Sequence, residues 1–154
     1  MIMKFWLMKS EPDVFSIDML QIKKKSGWDG VRNYQARNYM RDDMKIGDMV
    51  LFYHSSCEIP GIAGLAKVSL NSTPDPTQFD PKSDYFDPKA TKDKPRWFMV
   101  EVEFVEKFTN VITLLNLKKI KALEKMPLVQ KGSRLSINPV TDKEYDTILK
   151  LKLL

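Results

Sequence analysis

Four stretches of the chain have the hydrophobic pattern of β-strands. The clearest lies at residues 95–107, where apolar residues at every second position alternate with Glu101 and Glu103, so one face is expected to be buried. Residues 48–54 are apolar at both parities, which predicts a strand covered on both faces. The other two predicted strands cover residues 4–9 and 61–70.

Two helices are predicted between the first two strands. Ser16 suits the N-cap of a helix over residues 17–25, and Gly27 is expected to stop it. The lysines at the end of this helix are adequately explained as favourable charges at its carboxyl end. Asn33 suits the N-cap of the next helix, over residues 34–42.

The second half of the chain holds further helical and extended segments. The pattern predicts a short helix over residues 112–123 and an extended segment over 133–140. Thr141 and Glu144 have the spacing of a capping box, which predicts a terminal helix after the extended segment.

Residues 71–95 are expected to form a long loop. Five of the nine prolines lie there, and Asp-Pro pairs favour turns. We expect Phe79, Tyr85 and Phe86 to attach this loop to the rest of the fold. Long loops in compact proteins are often functional.

Composition and charge narrow the class of protein. A chain of 154 residues with 43% hydrophobic residues predicts one folded domain, residues 1–154, with one core. No apolar run approaches the ~20 residues that cross a bilayer, so no membrane association is expected. The single cysteine, Cys57, excludes an internal disulfide and favours a reducing, intracellular compartment. The net charge of +5 is compatible with a polyanionic partner.

The arginines are clustered in one stretch, whereas the lysines are scattered along the chain. Three of the five, Arg32, Arg37 and Arg41, lie in the first half of residues 28–55, among aromatic and asparagine residues. A guanidinium group pairs with phosphate or a base edge and stacks on rings, which favours recognition of nucleic acid. An ordinary solvated helix face is the alternative.

The single histidine, His54, lies at the end of a predicted buried strand. Polar side chains at such a position can line a pocket. A structural hydrogen bond is an equally good explanation for a lone histidine.

The same residue counts argue against catalysis. One histidine and one cysteine cannot build a closed zinc site, and the deaminase motif is absent. There is no nucleophile elbow and no glycine-rich phosphate loop. We therefore expect no enzyme activity, no cofactor and no metal.

Several motifs occur in order along nearly the whole chain: Lys9–Pro12, Trp28–Asn38, Gly47–Asp48 with Phe52–Ser55, Pro60–Gly64, Pro95–Trp97, and Ser133–Ser136 with Pro139–Val140. Together they resemble the EVE domain family, and within it the thymocyte nuclear protein group and its bacterial relatives. The resemblance implies an α+β fold of the PUA-like type, a small mixed β-barrel with helices packed around it.

The resemblance also implies a function. The family is thought to recognise modified bases in nucleic acid, often cytosine derivatives, so the expected partner is DNA or RNA that carries such a base. A module that binds small molecules or proteins in the same pocket is the alternative. The chain begins at its first strand without a basic tail, which favours a bacterial cytoplasm. A eukaryotic source would favour the nucleus.

The family-like motifs supply candidate site residues of two kinds. One set would enclose the base by stacking and hydrogen bonding, and the other would hold phosphate. An aromatic residue in a strand, such as Trp97, more often packs in the core; a structural salt bridge explains Arg134 equally well, and Ser10 and Ser136 could cap turns. The pocket candidates are Ser10, Trp28, Asn33, Tyr34, Tyr53, His54, Trp97 and Ser136. The phosphate candidates are Lys9, Arg32, Arg37 and Arg134.

Overall fold

A six-stranded sheet with short helices around it makes up the computed structural model, which describes residues 3–152. Two of the predicted strands continue well beyond their expected ends. The strands are β1 (Phe5–Ser10), β2 (Lys25–Gly27), β3 (Met49–His54), β4 (Gly61–Pro74), β5 (Phe98–Thr113) and β6 (Ile137–Val140). The helices are α1 (Ile17–Lys23), α2 (Tyr34–Asn38), α3 (Leu114–Leu117) and α4 (Asp142–Leu151), with a π-helical turn at Tyr39–Asp43 and 3-10 turns at Pro76–Phe79, Lys121–Leu123 and Pro127–Val129.

The sheet is open. Its strand order is β2-β5-β4-β3-β1-β6, in which β1 and β3 are parallel and the other neighbours are antiparallel. The expected mixed α and β composition is therefore present, but the expected barrel is not, because the edge strands β2 and β6 do not pair within the described residues. Both edges are short, and Pro139 in β6 lacks an amide hydrogen for a further strand.

Each face of the sheet carries a cluster of buried side chains. In β3, Val50 and Phe52 join the cluster on one face, whereas Leu51 and Tyr53 join the cluster on the other. This confirms that β3 is covered on both faces. The sequence predicted a single core, whereas the structure has one on each side of the same sheet.

The helix N-caps are confirmed. Ser16, Asn33 and Thr141 each accept a hydrogen bond from a backbone amide in the first turn of the helix that follows. At Thr141 the full capping box forms, since the carboxylate of Glu144 also accepts from the backbone amide of Thr141 at 2.9 Å.

Two predicted helices are wrong in extent. The first ends at Lys23, and Lys24 (φ 73°) turns the chain into the edge strand β2, so Gly27 lies in a strand instead of stopping a helix. The helix expected over residues 112–123 is only four residues long, because β5 continues through Thr113. In both cases tertiary strand pairing overrides a local pattern.

Polar contacts hold the loop after β4, and of the three aromatic residues predicted to attach it only Phe79 is partly buried. Tyr85 and Phe86 are 44% and 40% exposed. The fully buried amide of Gln78 donates to the carbonyls of Asp75 and Trp97 at 2.8 and 2.7 Å. Its oxygen accepts from the amides of Arg96 and Trp97 at 2.9 and 3.0 Å, so both ends of the loop are joined at one side chain.

Candidate nucleic-acid interface

A cavity of about 680 Å³ lies beside the end of β1, the turn before α1 and the segment that follows β2. Its volume lies within the range of ~300–1,000 Å³ that is typical of small-ligand sites. Six of the twelve sequence-predicted site residues line it: Lys9, Ser10, Trp28, Arg32, Asn33 and Ser136.

Strand pairing brings the two predicted serines to one wall of the cavity. The amide of Lys9 donates to the carbonyl of Ser136 at 2.9 Å, which places the start of β6 beside the end of β1. The hydroxyl of Ser10 donates to the carbonyl of Phe15 at 2.6 Å, so Ser10 also supports the turn before α1. Burial lowers the pKa of Lys9, so its ammonium group is partly desolvated at this wall.

Trp28 belongs both to the core and to the cavity wall. Its backbone amide donates to the carbonyl of Val100 at 2.8 Å. Its ring makes edge-to-face contacts with Phe52 and Phe15, with centroids 5.5 and 6.4 Å apart, and the residue is only 8% exposed. Its substitution is therefore expected to affect both folding and binding.

Gly30 allows the long loop to approach the cavity. It has a left-handed backbone (φ +79°), and a Cβ atom there would lie 2.8 Å from the ring of Tyr85. The amide of Gly30 donates to Oδ2 of Asp75 at 2.8 Å. Tyr85, which the sequence assigned only to attaching the loop, consequently lines the cavity with an exposed ring.

Arg32 does not have the role that the sequence predicted. Its five N–H groups make five hydrogen bonds inside the protein: two to the carbonyl of Tyr85 and one each to the Val31 carbonyl, Asp75 and Thr77. Because a guanidinium group has only five donors, none remains for phosphate. Residues 26–33, which line the cavity, are called the cavity segment. Arg32 joins this segment to the long loop through the fully buried Asp75.

A second group of predicted residues forms an aromatic stack outside the cavity. The rings of Tyr34 and Trp97 stack with centroids 5.0 Å apart, and the Arg37 guanidinium lies 4.8 Å from the Tyr34 ring centre. Nε1 of Trp97 donates to Asp87 at 2.8 Å, and Arg37 donates to the carbonyl of Arg96 at 2.8 Å. Tyr34, Trp97 and Arg37 thus pack against the loop and do not line the cavity.

The remaining predicted residues also lie elsewhere. Tyr53 belongs to the cluster on the opposite face of the sheet from Trp28, where burial raises its pKa to about 12. Nε2 of His54 accepts from the amide of Ile17 at 3.1 Å, and burial lowers its pKa, which is the structural role weighed as the alternative. Arg134 is exposed and is not among the cavity residues.

Five charged or aromatic side chains that line the cavity were not among the predicted site residues: Glu11, Phe15, Lys23, Asp29 and Tyr85. Lys23 had a sufficient explanation as a helix end. Asp29 lies inside the family-like motif between Trp28 and Gly30, and that position was the available signal.

A second cavity, of about 370 Å³, lies between the end of β5 and α4 and contains none of the predicted residues. Within residues 3–152, no three His, Cys, Asp or Glu side chains are grouped so that they could hold a metal ion. No helix in that part of the chain is long and apolar enough to cross a membrane.

The fold and the cavity together define a mixed α/β protein whose open sheet carries a polar, partly aromatic cavity at one end. The chain belongs to the EVE domain family, since the model of that domain matches residues 4–151. Human thymocyte nuclear protein 1 is 45% identical over 166 residues, which cover 96% of this chain and 73% of the human protein.

Solved structures extend the likeness to the fold. A protein from Pseudomonas syringae is 55% identical with a TM-score of 0.93, covering 96% of this chain and 99% of its own. The human THYN1 protein in complex with 5-methylcytosine-containing DNA is 43% identical with a TM-score of 0.87, and the match covers 97% of both chains.

Proposed function

We propose that this protein binds nucleic acid and holds a modified base, of the 5-methylcytosine type, in the cavity beside Trp28. The supporting observation is the cavity itself, of about 680 Å³, lined by the rings of Trp28 and Tyr85 and by polar groups including Ser10 and Asn33. A family member has been crystallised with DNA that contains 5-methylcytosine. Residues 1–154 act as a single domain in this proposal.

The arrangement suits a base that has left its stack. A protein that reads a modification must extrude the base and hold it by ring contacts and edge hydrogen bonds. The ring of Tyr85 is 44% exposed and lies on a loop that Arg32 fixes to the cavity segment. Ser10 and Ser136 also line the cavity, and the Ser10 hydroxyl, which donates to the carbonyl of Phe15, can still accept a hydrogen bond from a base.

Phosphate contacts come from lysines in this proposal. Lys9 and Lys23 both line the cavity, whereas the guanidinium of Arg32 is fully used. Desolvation lowers the pKa of Lys9, and a phosphate oxygen nearby would restore the stabilisation that its charge has lost. Each lysine that neutralises a phosphate should contribute to the salt dependence of binding.

Binding of oligonucleotides that differ in one base tests the proposal. Duplex and single-stranded DNA and RNA with one cytosine or one 5-methylcytosine are titrated, beside free 5-methylcytidine. Tighter binding of the methylated oligonucleotide supports the proposal. Binding of the free nucleoside alone would instead support a small-molecule site.

Matched variants locate the site. Tyr85→Ala should weaken binding by about 1–3 kcal/mol if the ring stacks on the base, whereas Phe86→Ala, at a similarly exposed ring outside the cavity, should not. Lys23→Ala should lower the salt slope by about one and Lys92→Ala should leave it unchanged. Equal effects of Tyr85→Ala and Phe86→Ala would contradict the assignment of the cavity.

The proposal describes a binding module without catalysis of its own. Incubation of the purified protein with modified DNA and RNA should leave both intact, and release of a cleaved strand or an altered base would contradict this. The bacterial cytoplasmic location expected from the sequence stays a prediction, which localisation of the tagged protein in its own cell would test.

A further inference from the structure

Asp29 is held in place by the backbone on either side of it. The preceding amide, of Trp28, donates to the carbonyl of Val100 at 2.8 Å. The following amide, of Gly30, donates to Oδ2 of Asp75 at 2.8 Å. Asp29 lies between these two anchors and lines the cavity, so its carboxylate starts from a fixed point on the wall.

The Asp29 carboxylate has acceptor capacity that the protein does not use. Within residues 3–152 it makes no hydrogen bond and no ion pair with another residue, and only its own backbone amide acts on it as a donor. The nearby carboxylate of Asp75 differs, since it is fully buried and accepts from Gly30, Arg32 and Thr77. Of the two aspartates beside Gly30, Asp29 and Asp75, Asp29 is therefore the one available to a ligand donor, and it shares the cavity lining with the exposed Glu11.

Within the described residues, no positively charged side chain forms an ion pair with the Asp29 carboxylate. Burial and then the like charge of Asp75 raise its pKa, whereas Lys23 and Arg32 act in the opposite direction. The ammonium of Lys23 lies 5.7 Å from the ring centre of Phe15, and the donors of Arg32 are all used. Asp29 is exposed and has no partner in another residue of the described chain, so its carboxylate can accept from a donor that a ligand brings.

We propose that the Asp29 carboxylate accepts a hydrogen bond from the exocyclic amino group of the bound base and so selects cytosine derivatives over thymine and uracil. Cytosine presents an N4 amino donor, whereas thymine presents the O4 acceptor at the same place. An acceptor facing a carboxylate is repelled and leaves both groups unpaired. This inference rests on the proposed function and adds the chemical group that the cavity recognises.

The test compares 5-methylcytosine with thymine, because both carry the C5 methyl group and they differ at the edge that Asp29 would contact. Each base is placed in the same oligonucleotide opposite an abasic site, so that neither has a pairing partner. The wild-type protein should bind the 5-methylcytosine oligonucleotide roughly 10- to 100-fold more tightly. Asp29→Asn, whose amide can donate as well as accept, should bring this ratio close to one.

Two controls separate recognition from charge and from folding. Asp13→Asn removes an exposed carboxylate near the cavity but outside its lining, so it should change affinity for both oligonucleotides together and leave the ratio intact. With the wild-type protein, N4,N4-dimethyl-5-methylcytosine lacks the amino hydrogens and should bind about as weakly as thymine. Because it uses only the wild-type protein, the measurement with the dimethylated base tests recognition of the amino group even if Asp29→Asn does not fold.

The outcomes distinguish this inference from the proposed function. If the wild-type protein binds the 5-methylcytosine oligonucleotide tightly but Asp29→Asn keeps the full ratio, Asp29 does not read the amino group and the inference fails alone. Undiminished binding of the dimethylated base has the same meaning. If the wild-type protein binds the 5-methylcytosine and cytosine oligonucleotides equally, the proposed function fails, whereas an Asp29-dependent preference of both over thymine would still support the inference. If it binds none of these oligonucleotides, both proposals fail.

Discussion

Substitution of Arg32 tests whether this residue stabilises the fold or contacts phosphate. Its side chain is 22% exposed and pairs at 3.1 Å with Asp75, which is fully buried. Removal of one partner of a buried pair costs about 3–5 kcal/mol. Asp75 would keep the donors from Gly30 and Thr77, so we expect the lower end, about 3 kcal/mol, for Arg32→Ala.

Arg32→Lys refines the estimate because it keeps the charge. A lysine offers three donors in place of five, so at least two of the hydrogen bonds are lost. At about 1 kcal/mol each, the cost should be about 2 kcal/mol. For a chain of this size, 1 kcal/mol corresponds to roughly 2–4 °C in Tm, so we expect Tm to fall by about 4–8 °C in Arg32→Lys and about 6–12 °C in Arg32→Ala.

Thermal unfolding and salt-dependent binding together form the assay. Arg41→Lys is the matched control, because Arg41 is exposed and its ion pair is with its neighbour Asp42, and it should change stability by less than about 0.5 kcal/mol. At a temperature where all variants are folded, Arg32→Lys should keep the salt slope of the wild type. A Tm of Arg32→Ala within about 1 °C of the wild type, with a salt slope lowered by about one, would refute the structural role.

Three further predictions concern other parts of the fold. Gly30→Ala should lower Tm more than Gly47→Ala, because both glycines have positive φ but only Gly30 would meet the ring of Tyr85; equal losses would contradict the close approach. Because burial lowers the pKa of His54 below its usual 6.5, the unfolded chain binds more protons in acid. The free energy of unfolding, measured with urea, should be highest above pH 6.5 and fall as pH decreases through the folded pKa, and His54→Gln should lessen this fall; an unchanged pH profile would count against it. Thr141→Ala should cost about 1 kcal/mol in the same assay by breaking the capping box, and no loss would show the cap to be dispensable.

Much of the fold could be predicted from local patterns in the sequence. The alternation in β5, the two apolar parities in β3 and the caps at Ser16 and Thr141 each depend on neighbouring residues. The edge strand β2 was missed because it depends on residues that are distant in the sequence. Its residues fit a helix terminus locally, and they become a strand only because Ser26 pairs with Val102.

The candidate site was only partly predictable because it is assembled over long sequence distances. The motif around Trp28 correctly pointed to the cavity. Asp75, however, which forms the ion pair with Arg32, lies 43 residues further along the chain. Arginines that look available in sequence are therefore used inside the fold. Tyr53 was assigned to the wrong side because residues of one strand alternate between faces, and strand periodicity does not say which face meets the cavity.

The position of β1 between β3 and β6 has a consequence for synthesis of the protein. Of the six strands described, β1 is made before the others, yet it receives its last neighbour only when residues 137–140 have been made, since Leu7 pairs with Asn138 and Met8 with Ile137. Until then, a growing chain carries an unpaired apolar strand edge, which is a site for aggregation. A premature stop codon shortly before Ile137 would therefore yield a product that is prone to self-association as well as incomplete.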